Sequence, residues 1–289
     1  MSMETAQADK DKWLYEIKPK RGWFEWHLED LWNYRDLILL FVRRDFVSQY
    51  KQTVLGPLWY LIQPIFTTIT FTIVFSRIAG ISTSGLPPIL FYLSGLTAWN
   101  YFADCLNKTS QTFVANAGMF GKVYFPRLAV PVSIVISSLI TFAFQFLLFL
   151  VVLVYFHFTG EIQFHATPHL FLFPVLVVML ALLGLGSGIF VSALTTKYRD
   201  LRFLLNFGVQ LLMYATPVIY PMETIHGKLK TVISFNPMSS IVESMRYIFL
   251  GTGELNYGNL AYSAAVILFI LVSGLFIFNR VERNFMDTV

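Results

Sequence analysis

Six stretches of this chain are long enough, and free enough of charge, to cross a lipid bilayer as helices. A hydrocarbon core about 30 Å thick takes roughly 20 apolar residues in helix. The spans fall at about 57–78, 88–113, 127–157, 169–195, 202–221 and 258–280, the second with a polar extension. The third, uncharged from Leu128 to Phe156, reaches roughly 43 Å at 1.5 Å per residue, so it tilts or projects beyond the lipid. Composition agrees with this class. Charged residues make up 13% of the chain, against about a quarter in soluble domains. The 29 Phe and 14 Tyr exceed what a water-soluble domain of 289 residues can bury.

Lys and Arg set the orientation. With the N-terminus in the cytoplasm, inside segments hold nine basic residues from Lys10 to Lys51, together with Lys108, Lys122, Arg127, Lys197, Arg199, Arg202, Arg280 and Arg283. Outside segments hold Arg77, Lys228, Lys230 and Arg246, a balance of 17 against 4. The positive-inside rule therefore places both termini in the cytoplasm. It also absorbs the net charge of +4, which gathers on no single face and so does not point to nucleic acid.

Two regions are helical without spanning. Residues 31–52 form an interfacial helix candidate in which Leu39, Phe46 and Tyr50 recur at near-helical spacing among Arg43, Arg44 and Lys51. Trp23, Trp26 and Trp32 nearby favour the membrane–water boundary. Residues 223–250, between spans five and six, form an outer re-entrant pair. Its second helix starts at Asn236-Pro237, a good N-cap followed by proline at the first helical position. That helix places Met238, Ile241, Val242, Met245, Ile248 and Phe249 on one stripe, with Glu243 and Arg246 elsewhere. Residues 1–30 are a polar cytoplasmic segment with no short apolar core before a cleavage site, so no cleaved signal is expected. Residues 53–289 make the membrane domain.

Chemistry-bearing motifs are sparse. No GxxxxGK[ST] phosphate loop occurs; the nearest fragment, Gly118-Met-Phe-Gly121-Lys122, continues with Val123 where a hydroxyl is needed to reach magnesium. If ATP drives this chain, another subunit binds it. Gly184, Gly186 and Gly188 lie inside an apolar span, where close helix packing explains them better than a dinucleotide fingerprint. His165 and His169 are four apart, but Pro168 breaks the helix between them and no carboxylate accompanies them, so no metal site is expected. The single cysteine, Cys105, excludes an intramolecular disulfide. Asp104 and Lys108 have the order and spacing of a helical ion pair. Trp59, Tyr60, Trp99, Tyr101, Tyr214 and Tyr220 each carry a polar edge that lipid does not satisfy. They serve either as interfacial belt residues or as the lining of a wet path, where a flat ring with a hydrogen-bonding rim suits a sugar.

The loop between spans two and three concentrates the most unusual chemistry. Residues 118–126 and their flank present Met119, Phe120, Lys122, Val123, Tyr124, Phe125, Pro126 and Arg127 within a few positions, punctuated by glycine and proline. Apolar side chains flanked by cations make a docking knob for another protein, or equally a loop anchored in lipid headgroups.

Several separated segments then resemble one family. They are Arg35-Asp-Leu, Arg44-Asp45, Tyr50-Lys-Gln-Thr-Val-Leu-Gly-Pro-Leu-Trp59, Gln63-Pro64 and Leu96-Thr-Ala-Trp-Asn100. Asn116-Ala-Gly118, Lys122-Val-Tyr-Phe-Pro-Arg127, Tyr198-Arg-Asp200, Pro217-Val-Ile-Tyr-Pro221, Asn236-Pro-Met238 and Val281-Glu-Arg283 continue the series. In order and spacing these are similar to the permease subunits of ABC-2 type exporters for polysaccharides and polyol phosphates. Those exporters move lipid-linked O-antigen, capsule or teichoic acid chains. The resemblance implies a homodimer in the bacterial inner membrane with two copies of a nucleotide-binding subunit, which holds the ATP and magnesium. It makes 118–126 the coupling helix, 31–52 a helix on the cytoplasmic surface, and the gap between protomers the channel, faced by spans one and five. An ABC-2 exporter of another amphiphile, a drug or lipid, shares this architecture. A secondary transporter would call for midplane charges and repeats, and a membrane transferase for converging carboxylates or a His/Asp site; the sequence offers neither.

Overall fold

The computed structural model describes residues 28–288 except 52, 124, 163–167, 196, 197 and 199. The polar segment before residue 28 and Tyr124 of the loop lie outside that set. Among the described residues the chain is helical, with no strand. Four stretches are long and apolar enough to cross a bilayer: Gly56–Ile78, Ala129–Phe158, Pro168–Thr195 and Tyr257–Val281.

A short helix α1 (Leu28–Asn33) leads into α2 (Arg35–Tyr50). The buried stripe of α2 is Ile38, Phe41 and Val42 rather than one built on Leu39, which is 60% exposed together with Leu40 and Val47. Apolar side chains thus point two ways, one set onto the bundle and one outward, which is why no single amphipathic face is legible. Helix α3 (Trp59–Phe71) is entered by a 3₁₀ turn at Gly56–Leu58 and continues as a π-helix over Thr72–Ile78. Pro64 inside α3 removes one backbone donor.

Helix α4 (Pro88–Thr109) is buried on nearly every side. At 22 residues it is long enough to span, yet it carries Asn100, Asp104, Asn107 and Lys108. Neighbouring helices, not lipid, surround most of it, so it tolerates polar residues that a lipid-facing helix would not. The short helices α5 (Thr112–Ala115) and α6 (Ala117–Phe120) turn the chain into α7 (Ala129–Phe158). Next come α8 (Phe173–Thr195) and α9 (Leu201–Tyr214). Helix α9 stops at Tyr214 instead of running on to 221, because the Pro217–Pro221 stretch cannot continue it. The pair α10 (Lys228–Ser234) and α11 (Pro237–Leu250) precedes the long terminal helix α12 (Tyr257–Thr288).

Glycine sets the closest helix contacts. A Cβ on Gly188 would stand 2.6 Å from the Thr109 Cβ of α4, and one on Gly184 would collide with Cys105 of the same helix. On the other side of α8, a Cβ on Gly186 would meet the Leu271 Cα of α12 at 2.8 Å, while Gly274 returns the contact against the Gly186 carbonyl. The glycine spacing is therefore a packing device that brings α8 against both α4 and α12. One hydrophobic core fills the centre of the bundle and its α11 end. A second core, at the opposite end, joins α2, the α5–α6 turn, the start of α7 and the end of the apolar part of α12.

Candidate functional site

The loop after α4 is the first candidate. Asn116 precedes α6, and its carbonyl accepts from the Met119 and Phe120 amides at 3.0 Å each. The Lys122 and Val123 amides then donate to the Met119 carbonyl at 3.1 and 3.2 Å, making a tight ledge. Phe120 and Phe125 are 5% and 6% exposed. Their rings lie 5.7 Å apart; Phe125 sits edge-on to Phe41 of α2, and Phe120 edge-on to Phe113. Phe113 in turn stacks on Phe278 of α12 at 4.6 Å. Two of the aromatics expected to dock elsewhere, Phe120 and Phe125, thus pack on their own chain. Arg127, half-buried, lies 5.6 Å from the centroid of the Phe120 ring. What projects is the tip, Gly121, Lys122 and Val123, with Val123 59% exposed. Met119 and Pro126 are half-buried at its base.

This placement makes a prediction. Phe120→Ala opens a cavity in the second core and is expected to destabilise the folded chain by about 3–5 kcal/mol. A thermal-unfolding midpoint equal to the parent's would show that Phe120 is not packed as described.

On α2, Arg43 and Lys51 are exposed and Phe46 is half-buried. The side chain of Tyr50 is outside the described set. Arg44 pairs with Asp45 at 2.8 Å and lies over the Phe41 ring. The six aromatics of the spans divide. Trp99 and Tyr101 are 4% and 3% exposed and belong to the chain's own core; Trp99 packs on Phe102 and Tyr101 on Phe142. Tyr60 is also buried, its hydroxyl donating to Gln49 Oε1 at 3.2 Å. Trp59 and Tyr214 are 51% and 53% exposed. The Tyr220 hydroxyl donates to the Tyr214 carbonyl, satisfying the end of α9.

At the α11 end, sequence reasoning missed Arg246. It is 2% exposed, the largest fully buried side chain described. Its guanidinium donates to the carbonyls of Pro217 and Val218, the latter at 2.8 Å, and lies 3.7 Å over the Phe91 ring. Glu243 Oε1 is 3.5 Å away. Burial lowers the Arg246 pKa to about 10, which still leaves it charged at neutral pH. Burial likewise pushes the Glu243 carboxyl above its ordinary value, and Arg246 opposes that shift. The stripe of α11 is buried as expected, but Ser239, Glu243, Ser244 and Arg246 on its other faces are buried too. The helix is part of the core and not a one-sided surface helix. Its ends follow the sequence signals: the Asn236 side chain accepts from the Met238 amide at 3.0 Å, and Gly251 closes the helix with φ 68°. Asn236 Nδ2 also donates to Thr216 Oγ1 at 2.8 Å.

Asp104 and Lys108 do pair, at 3.3 Å, with both side chains substantially exposed, so the pair contributes little to stability. His169 approaches the Tyr257 hydroxyl at 3.1 Å, while His165 lies outside the described residues.

Four apolar spanning-length helices together with a buried, more polar α4 make this a multi-pass membrane protein. Residues 36–250 match the ABC-2 type transporter family, and the chain belongs to it. Among its relatives, an O-antigen export system permease protein RfbA of Klebsiella pneumoniae is 27% identical over 252 residues, covering 87% of this chain and 94% of that protein. The protein of the same name in Myxococcus xanthus is 26% identical over 264 residues, covering 91% and 98%. The polysialic acid transport protein KpsM of Escherichia coli is 23% identical over 252 residues, covering 85% and 93%.

Proposed function

We propose that this chain is the membrane subunit of an ATP-driven exporter that passes a lipid-linked polysaccharide across the bacterial inner membrane. The observation that carries the reading is that relatives named for O-antigen and polysialic acid export match along almost their full lengths. The six spans of this reading are α3, α4, α7, α8, α9 with the bent segment after it, and α12, both termini being cytoplasmic by the balance of Lys and Arg. Two copies enclose the channel, with the exposed faces of α3 and α9 turned toward it. Trp59 and Tyr214 then offer flat, replaceable contacts along which a polymer slides, where tight binding would stall it.

Hydrolysis happens on a separate nucleotide-binding subunit, since the chain has no phosphate loop of its own. Movement of that subunit enters through the ledge at 118–126. Phe120 and Phe125 join this ledge to α2, and Phe113 carries the contact on to α12. A push at the tip is thus delivered to rigidly packed helices and not to a slack loop.

The test uses the tip and leaves the aromatic pins alone. Lys122→Glu with Val123→Asp inverts the charge of the exposed tip and removes its apolar contact, leaving the second core intact. The variant is expected to reach the membrane in normal amount, to lose co-purification with the ATPase by at least about tenfold, and to lose export of surface glycan. Normal co-purification and export by this variant would remove the coupling role from the ledge. Uphill transport by the purified chain without any ATPase would remove the exporter reading itself.

A further inference from the structure

Between α2, α3, α4 and α7 the chain forms two half-open recesses of about 230 Å³ and 310 Å³, the smaller the more polar, whose walls share Gln49, Tyr60 and Lys108. Helices of an apolar chain ordinarily close on one another. Here amides and a hydroxyl line the smaller recess: Gln49 from α2, Gln63 from α3, Asn100 from α4, Thr141 and Gln145 from α7. Thr141 and Gln145 are only 7% and 6% exposed, and Asn100 Nδ2 donates to Gln145 Oε1 at 3.2 Å. Ser137, in the wall of the larger cavity, has a buried hydroxyl with no partner. A buried polar group left unpaired costs about 1–3 kcal/mol. The recess therefore has hydrogen-bonding capacity that the chain does not use.

Charge decides what kind of ligand suits it. The charged side chains in the two walls are Arg44, Asp45, Asp104 and Lys108. Arg44 pairs with Asp45 and Lys108 with Asp104, so among the described residues the recess has no net charge to offer a phosphate. Side-chain amides donate and accept at once, as sugar hydroxyls do. Trp59, half exposed in the wall of the smaller cavity, presents a ring face to the apolar side of a pyranose. The larger recess alone reaches the size at which ligand pockets begin, roughly 300 Å³.

We infer that this recess is a glycan subsite, holding a neutral, hydroxyl-rich stretch of the cargo against α2, α3, α4 and α7 of one copy. The inference rests on the polysaccharide reading above and adds to it where the sugar is held. It also places the sugar beside the coupling ledge. Ala115 and Asn116 form part of the larger cavity's wall, and the Asn116 carbonyl is the acceptor that starts α6. An occupied recess thus touches the segment that leads to Lys122 and Val123.

The test is sugar binding to the full chain in lipid nanodiscs, read by saturation transfer to the protons of maltotriose, with inorganic diphosphate as competitor. Maltotriose is expected to bind saturably, and diphosphate not to displace it. Asn100→Leu with Gln145→Leu replaces both partners of one hydrogen bond by apolar groups of similar size and is expected to weaken binding about tenfold. Ser137→Val, which breaks no bond within the chain, is expected to weaken it several-fold and decides the matter if the double variant misfolds. Binding that ignores both variants, or no binding at all, overturns the subsite; displacement by diphosphate overturns its neutral character. Failure of the exporter reading shows in a separate measurement, when the wild-type chain and its ATPase move no glycan in cells. Intact wild-type export beside recess-independent binding would sink the subsite alone.

Discussion

Arg246→Met is expected to destabilise the folded chain by about 3–5 kcal/mol, the usual cost of breaking a buried charge pair from one side. Methionine is long and apolar enough to occupy much of the same space, so the loss reports interactions and not volume. Three groups would be left without their partner: the carbonyls of Pro217 and Val218, and the carboxyl of Glu243. The two carbonyls belong to the segment after α9, which is not helical and has no ladder to take them in. The midpoint of thermal unfolding, followed by size-exclusion fluorescence in detergent, is expected to fall by roughly 10 °C. Glu243→Gln should cost far less, about 1 kcal/mol, because Arg246 keeps both carbonyls. An Arg246→Met midpoint equal to or above the parent's would show that this arginine does not hold the bend.

The surroundings of Arg246 look built for it. Gly95 of α4 has no side chain where a Cβ would come within 2.7 Å of Arg246 Nη2 and 3.3 Å of the Val218 Cα. Phe91, one turn earlier on α4, supplies the ring beneath the guanidinium. Three elements therefore meet at one cation: α4, the segment after α9, and α11 with its Glu243 carboxyl. In the proposed six-span arrangement this knot fixes the outer end of α9 while the rest of that helix keeps Phe203, Leu204, Phe207 and Leu211 exposed.

Long apolar runs are legible in a sequence because lipid leaves a chain few alternatives. The apolar stretches of α7, α8 and α12 lie within a few residues of where the sequence puts them, and the N-cap at Asn236 and the glycine contacts of α8 are present as read. Which side of a local motif faces its own chain is not legible in that way. Phe120 and Phe125 stand among basic residues in a short loop, and composition alone does not separate a docking surface from a pin. Their partners Phe41, Phe113 and Phe278 lie far apart in sequence. Arg246 is hidden for the same reason. Read along α11 it marks a polar face, and only the fold brings it to carbonyls 28 and 29 residues away. A hint is present: Pro217-Val-Ile-Tyr-Pro221 is a segment whose backbone must find acceptor and donor partners outside a helix. The polar recess is split among Gln49, Gln63, Asn100 and Gln145, each ordinary on its own helix.

The second large effect is expected where α8 crosses its neighbours. Gly186→Leu and Gly188→Leu each insert a side chain against something that cannot step aside. At Gly186 the first carbon would meet the Leu271 Cα and N at 2.8 and 2.9 Å; at Gly188 it would meet Thr109 Cβ at 2.6 Å and the Leu106 carbonyl at 3.2 Å. Backbone atoms on a packed helix do not rotate away, so the helices must separate, and every close contact along the crossing weakens with them. In lipid no hydrophobic gain compensates, because the membrane is as apolar as the interface it replaces. Overpacking ordinarily costs about 1–3 kcal/mol, and a collision with backbone falls at the upper end or beyond. Gly118→Ala, on α6 with open space around it, is the control and should leave stability unchanged within about 0.5 kcal/mol. The expected order of folded yield is parent and Gly118→Ala together, then a steep fall to both leucine variants. Leucine variants that fold as well as the control would mean that α8 does not pack on α4 and α12 through its glycines.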